Sequence, residues 1–424
     1  MAHHQDGDGR PAGEVIESRE AAEHYVGLVC FKIGPPRLVG IELEWIVHDQ
    51  LDPASLITAS RLAAALGRWA PECLGNPHPE PLPHGSLVTV EPGGQLELSS
   101  RPAAGLAACV ADVAADSETL LAALGAGGLT GTGSGTDAVR PPARVLRTPR
   151  YDAMESYFDR RGPDGRTMMC STAAAQVSLD AGTADTVATR WHALHVLGPV
   201  LVAMFANSPV RAGRATGWQS SRQATWFGTD PARTAPHLGE GWATGDDPGG
   251  RYARFALDAP LLCVRRHGTR WTVPAGITFA DWIAGALGAR PTYADLAYHL
   301  TTLFPPVRPQ GHLEVRYVDA QPGGGWLVPV AVLWALTSDE KALDLAVEAA
   351  DPVAGQWVAA ARHGLGDPAI GRAAQRVLAA AQDVLDGDAA DAVAHFASRY
   401  TERGRSPADD WIAGQPPLHV SRAG

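Results

Sequence analysis

Between residues 18 and 31 the apolar positions fall on one face of a 3.6-residue period, which predicts a helix. The period then drops to two. Residues 37–47 and 86–99 alternate polar and apolar side chains as half-buried strands do, and 172–180 and 312–318 repeat the pattern. Helical spacing is predicted near 60–70, over about 104–124, over 186–206 and along the alanine-rich tail from about 338 to 400. Strands and helices are interspersed without regular βαβ spacing, so an α+β fold with an antiparallel sheet is expected. No internal repeat or long linker divides the chain. The simplest partition is a disordered stretch over 1–12, one principal domain over 13–337, and a helical portion over 338–424 packed on that domain.

The glycine-rich run GAGGLTGTGSGTD invites a phosphate-loop reading, but it follows a helix rather than a strand and lacks the GK[ST] that a P-loop needs. A turn into a glycine-containing strand is expected instead.

Composition narrows the function. With 45% hydrophobic and 19% charged residues the chain has ample core-forming material. A net charge of −11 argues against nucleic acid or an anionic membrane as partner, since both need clustered cations. Lys32 and Lys341 are the only lysines, so any phosphate or carboxylate must be gripped mainly by arginine forks. Five widely spaced cysteines without a CxxC pair, no signal-peptide-like start and no run of roughly 18 apolar residues together give a cytoplasmic expectation.

Candidate chemistry lies in the strand-like runs. In GIELEW, alternation puts Glu42 and Glu44 on one face and Ile41, Leu43 and Trp45 on the other. Two adjacent like charges repel unless a cation sits between them, and magnesium prefers carboxylate oxygen. A solvated strand face is the plain alternative. Glu91 and Glu97 flank a Pro-Gly-Gly turn in EPGGQLEL, with neutral Gln95 beside Glu97 on its face. A hairpin bearing surface acids would look the same. In LEVR, Glu314 and Arg316 share a face, which suits metal plus anion or a simple ion pair.

Taken in order, GIELEW, EPGGQLELSS, TMMCSTAAAQVSLD, FANSP, SRQATWFGTDPART and HLTTLFPPVRPQGHLEVRYVD resemble the signature segments of plant-type glutamate-cysteine ligases, over about residues 37–320. The length and the Ala/Arg-rich composition are most similar to the actinobacterial branch that makes γ-glutamylcysteine for ergothioneine synthesis. The resemblance implies a glutamine synthetase-like catalytic domain, a curved antiparallel funnel with helices outside, that takes ATP at one end and glutamate at the other. It further implies more than one magnesium ion held by Glu42, Glu44, Glu91, Glu97 and Glu314. Gln176 then falls near metal and phosphates. Arg222 and Arg233 become candidates for the glutamate γ-carboxylate and the transferring phosphate, and Arg316 for the phosphate. The segment with Arg150, Tyr151, Tyr157, Arg166, Met168 and Met169 resembles the loop over the substrates, with Tyr151 and Arg166 as substrate contacts. The implied reaction joins the glutamate γ-carboxylate to the amine of L-cysteine through a γ-glutamyl phosphate. Two alternatives stay open: the same chemistry with another amine, and a non-catalytic regulator that binds glutamate or nucleotide on this fold.

Overall fold

A computed structural model describes residues 13–235, 247–268 and 270–414; the expectation of disorder over 1–12 lies outside the described residues. Among the described residues ten strands form: β1 (Leu38–Asp49), β2 (Leu87–Val90), β3 (Leu96–Ser99), β4 (Ala103–Ala104), β5 (Leu129–Thr132), β6 (Ala174–Leu179), β7 (Val210–Arg211), β8 (Arg214–Ala215), β9 (Val307–Pro309) and β10 (Leu313–Asp319). Eight of them make one sheet in the order β2-β3-β1-β6-β10-β9, with β4 and β5 also paired to β1. Every pairing in it is antiparallel. The twelve residues of β1 make it the spine of this sheet.

Alternation splits the sheet into two faces. Ile41, Leu43, Leu96, Leu98, Val177, Leu313 and Val315 join the hydrophobic core. The helices Leu106–Ala126, Gly198–Met204 and Leu327–Ser338 contact β1, β10 and β6 respectively. Leu327–Ser338 is apolar all round and accordingly buried on most of its surface. It also packs on the helices Pro368–Gln382 and Gly387–Arg399, so one core cluster runs from Ile16 to Tyr400.

Two helical expectations need correction. The segment 186–206 is not one helix but two, Val187–Val196 and Gly198–Met204, because Pro199 cannot donate to the preceding turn and instead opens the second helix. The C-terminal helical run begins at Leu327, not near 338. The glycine-rich run does become a turn into a strand, β5.

The ladder between β6 and β10 is irregular at one point. Val315 faces Val177 and Val318 faces Ala175, so Arg316 and Tyr317 together oppose the single residue Gln176. This is a β-bulge. At the bulge the Arg316 and Tyr317 carbonyls accept from Arg222 Nη2 (2.7 Å) and Gln223 Nε2 (2.8 Å) of the helix Ser221–Thr229.

Candidate active site

The sheet's other face carries Glu97, Glu42, Glu44, Gln176 and Arg316, and on it opens a cleft of about 300 Å³, at the lower end of the range for ligand sites. Ladder register explains how the floor forms. Glu97 stands opposite Glu44, and Glu42 lies between Ser99 and Gln176. Four carboxylates, from Glu42, Glu44, Glu91 and Glu97, line the cleft with Gln176. Gln95 fixes the turn bearing Glu91 and Glu97: its Nε2 donates to the Thr172 carbonyl (3.0 Å), and its Oε1 accepts from Gly93 N–H (3.0 Å). Gly93 approaches so closely that a Cβ there would run into the Cys170 backbone, which is why only glycine serves.

The electrostatics arise from crowding. Burial, then the charges of Glu97 and Glu314, push Glu42 well above the usual carboxylate range. Burial and the Glu97 charge push Glu44 up to about 8 and Glu91 up to about 7. Protein donors supply little relief: Glu44 accepts from Ala174 N–H (2.9 Å) and Gln176 Nε2 (2.9 Å), and Glu42 from the same Nε2 (3.2 Å). Gln176 Oε1 is buried without any hydrogen-bond partner among the described residues. An orphaned carbonyl oxygen among crowded carboxylates is a donor set of the kind hard divalent cations take, so magnesium fits by chemistry. Among the described residues, however, no three His, Cys, Asp or Glu side chains are already drawn together as a finished metal site.

The cleft is also lined by Arg150, Arg222, Arg308 and Arg316, with an apolar wall that includes Tyr151, Met154, Met168, Met169, Trp226 and Phe304. Burial makes Tyr151 harder to ionise. Arg222 is 3% exposed, and its Nη1 lies 3.9 Å from Asp319 without a hydrogen bond among the described residues. Burial lowers its pKa, while Asp319 and Glu44 oppose that shift. Asp319 also accepts from Ser208 Oγ (2.7 Å) and Ser220 Oγ (2.9 Å), and Ser220 caps the helix that carries Arg222.

Three expected residues fall elsewhere. Arg233 is 0% exposed and outside the cleft: it donates to the carbonyls of Thr302 (3.0 Å) and Pro260 and pairs with Asp230 at 3.2 Å, so it braces the fold. Arg166 does not line the cleft either and pairs with Asp159 (2.8 Å) and Glu155 (3.3 Å). Glu314, at 1% exposure, accepts from Arg308 through two nitrogens (2.6 and 3.0 Å), from Gln310 (3.0 Å) and from Arg316 (3.0 Å). Burial would raise its pKa, but Arg308 and Arg316 hold it far below the carboxylate range. It therefore stands here as an arginine-holding carboxylate behind the cleft rather than a free metal ligand. Arg308 and Gln310 do not stand out in the sequence; the available signal is the Gly311 turn, which folds Arg308 back opposite Glu314.

Residues 38–415 match the glutamate-cysteine ligase family 2 (GCS2), and the chain belongs to that family of enzymes. It is 42% identical over 405 residues to the glutamate–cysteine ligase EgtA of Mycobacterium tuberculosis, covering 94% of this chain and 90% of that protein. Identity to EgtA of Mycolicibacterium smegmatis is 40% over 407 residues, covering 94% and 92%. The chloroplastic glutamate–cysteine ligase of Brassica juncea is 32% identical over 289 residues, 65% of this chain and 54% of that one. The crystal structure of the Francisella tularensis glutamate–cysteine ligase in complex with AMP shares the fold, with a TM-score of 0.52 at 13% identity over 90% of this chain and 85% of that one. Among the described residues no helix is long and apolar enough to cross a membrane.

Proposed function

We propose that the cleft uses ATP to activate the side-chain carboxylate of glutamate and delivers the acyl group to the amine of L-cysteine, giving γ-glutamylcysteine for ergothioneine synthesis. The observation that carries this reading is a single cleft lined by four carboxylates and four guanidiniums, in a chain of this family.

A carboxylate acylates poorly because oxide would have to leave. In the first step a γ-carboxylate oxygen of glutamate attacks the terminal phosphorus of ATP; the new O–P bond forms as the bond to the bridging oxygen breaks, and ADP departs. In the second, the cysteine amine attacks the γ-carbonyl carbon, loses a proton, and the C–O bond to phosphate breaks. Arg316, on a strand and therefore rigidly placed, stabilises charge on the phosphoryl group in flight. Arg222, locked to the Arg316 carbonyl and flanked by Asp319, lines the cleft and sets a fixed positive charge against the glutamate substrate. Glu42, Glu44, Glu91 and Glu97, with Gln176 beside them, would hold magnesium, which when bound neutralises phosphate charge. The apolar wall keeps water from the acyl phosphate.

The test is ADP release from ATP with glutamate, scanned across amines, with products identified by mass spectrometry. The reading expects ADP to require glutamate, magnesium and cysteine together. Equal turnover with unrelated amines would move the assignment to a ligase with another acceptor, and binding without turnover to a regulator.

A further inference from the structure

We propose that Arg308 is a second catalytic guanidinium for phosphoryl transfer, acting beside Arg316, with Glu314 as the positioning residue that aims both; this rests on the ligase reading above. Arg308 lies on the three-residue strand β9, directly opposite Glu314 on β10. Its Nε and Nη2 bind the two oxygens of Glu314 in a fork, and Arg316 Nη1 reaches the same Oε1 from two residues further along β10. One carboxylate thus grips two guanidiniums, with Gln310 taking a further lone pair.

Charge counting shows that this is more than an ion pair. Glu314 carries one negative charge against two positive ones. The surplus faces the cleft, because both arginine side chains line it and keep some exposure, 16% for Arg308 and 14% for Arg316, while the Glu314 side chain keeps 1%. Arg308 Nη1 makes no hydrogen bond among the described residues, and neither do Arg316 Nε and Nη2. Donors held from behind, with spare N–H groups in front and a net positive charge, suit an oxyanion with several equivalent oxygens. A phosphoryl group in transfer is such a species, its charge spread over three equatorial oxygens. The donors also stand on neighbouring strands of one hairpin, so they need not reorganise as the charge develops. Arg308 and Arg316 moreover line the same cleft as Glu42, one of the proposed magnesium carboxylates.

The experiment compares Arg308→Lys and Arg308→Ala with the wild type in four readouts: steady-state kinetics, thermal melting, restoration by added methylguanidinium, and positional isotope exchange in oxygen-18-labelled ATP with glutamate but no cysteine. Exchange reports the first step alone. Arg308→Ala is expected to lower kcat and the exchange rate together by about 100-fold, with the KM for glutamate changed by less than about threefold, since the interaction is made mainly in the transition state. Methylguanidinium should restore part of that loss. Arg308→Lys keeps a charge against Glu314, so it should melt close to the wild type yet lose about tenfold or more in kcat, because one ammonium cannot make a fork behind and a contact in front. Wild-type kcat in Arg308→Lys would overturn the proposal. So would wild-type exchange in folded Arg308→Ala, or a loss of activity that only accompanies unfolding and does not respond to methylguanidinium. A wild-type protein that makes no ADP with glutamate and cysteine would instead overturn the ligase reading.

Discussion

Glu44 and Glu97 are direct partners across the β1–β3 ladder, two carboxylates placed side by side on the cleft face of the sheet. Like charges directly opposite one another weaken a sheet, so this pair is retained against stability. Thr89 Oγ1 (2.6 Å) and Ser99 Oγ (3.3 Å) donate to Glu97, two hydroxyl bonds against the repulsion.

Removing one of the two charges should therefore separate function from stability. Glu44→Gln or Glu97→Gln is expected to abolish turnover, and Glu42→Gln likewise. The metal-free melting temperature should stay unchanged or rise, because repulsion is relieved. Calorimetric melts in chelator, alongside kinetics at saturating magnesium, check both halves; near-normal kcat would count against the carboxylate cluster.

The same groups set a pH dependence. Glu42, Glu44 and Glu91 have folded pKa values above the unfolded carboxylate value of about 4.3, Glu44 reaching about 8 and Glu91 about 7. Between those limits the folded chain binds more protons than the unfolded one. Their contribution is therefore fully present below the unfolded pKa and is lost as pH rises through the folded values. Buried His299 and His195, lowered to about 3 and about 4, act in the opposite sense: their contribution is present above about 6.5 and is lost as pH falls. The difference between melts with and without magnesium isolates the carboxylates. That difference is expected to grow from pH 5.5 to 8, and a flat difference would show that these groups do not meet the metal.

Arg316 and Arg222 should fail differently. Arg316→Ala is expected to lower kcat by about 100-fold with a smaller change in the KM for glutamate, as for a contact made in the transition state. Arg222→Lys should raise that KM more than it lowers kcat, since a lysine cannot reproduce the fork. Glutamate titrations at saturating ATP and cysteine distinguish the two, and the reverse pattern would invert the placement of substrate and phosphate.

Arg233 and Arg166, outside the cleft, give the contrast. Arg233→Met leaves the Thr302 and Pro260 carbonyls without their donor, while Asp230 keeps Tyr157 (2.7 Å) and Arg161 (3.2 Å), and it should cost about 1–3 kcal/mol of stability. The KM of the folded fraction should be unaltered. Arg166→Ala breaks half-exposed pairs and should shift stability by less than about 1 kcal/mol, with wild-type kinetics.

Much of the floor is legible in the sequence because a period of two is unambiguous: once residues 37–47 are read as a strand, Glu42 and Glu44 have to share a face. Arg222 and Arg233 are not separable in sequence, because which way each points depends on the break at Asp230, where one helix ends and a four-residue turn of another begins. Arg308 escapes detection because β9 is three residues long and ends in proline, too short to display alternation. The helix Leu327–Ser338 escapes it for the opposite reason, being apolar on all sides and so without any period to detect. The role of Glu314 depends on its cross-strand neighbour, which local spacing does not record.

The bulge at Arg316–Tyr317 also sets the phase of β10. Up to Val315 the strand alternates in one phase, and from Val318 it runs in the other, which keeps both valines on the core side and both Glu314 and Asp319 on the other. Deleting one residue of the bulge would leave a single residue opposite Gln176, so the alternation would become unbroken with Val318 still on the core side and Asp319 still on the other; what would be lost is one of the two carbonyls that Arg222 and Gln223 bind. For anyone recombining this chain with a relative, the strand is therefore two separate cassettes, and a crossover that loses one residue at 316–317 keeps both faces of the sheet but gives up a tie to the helix that carries Arg222.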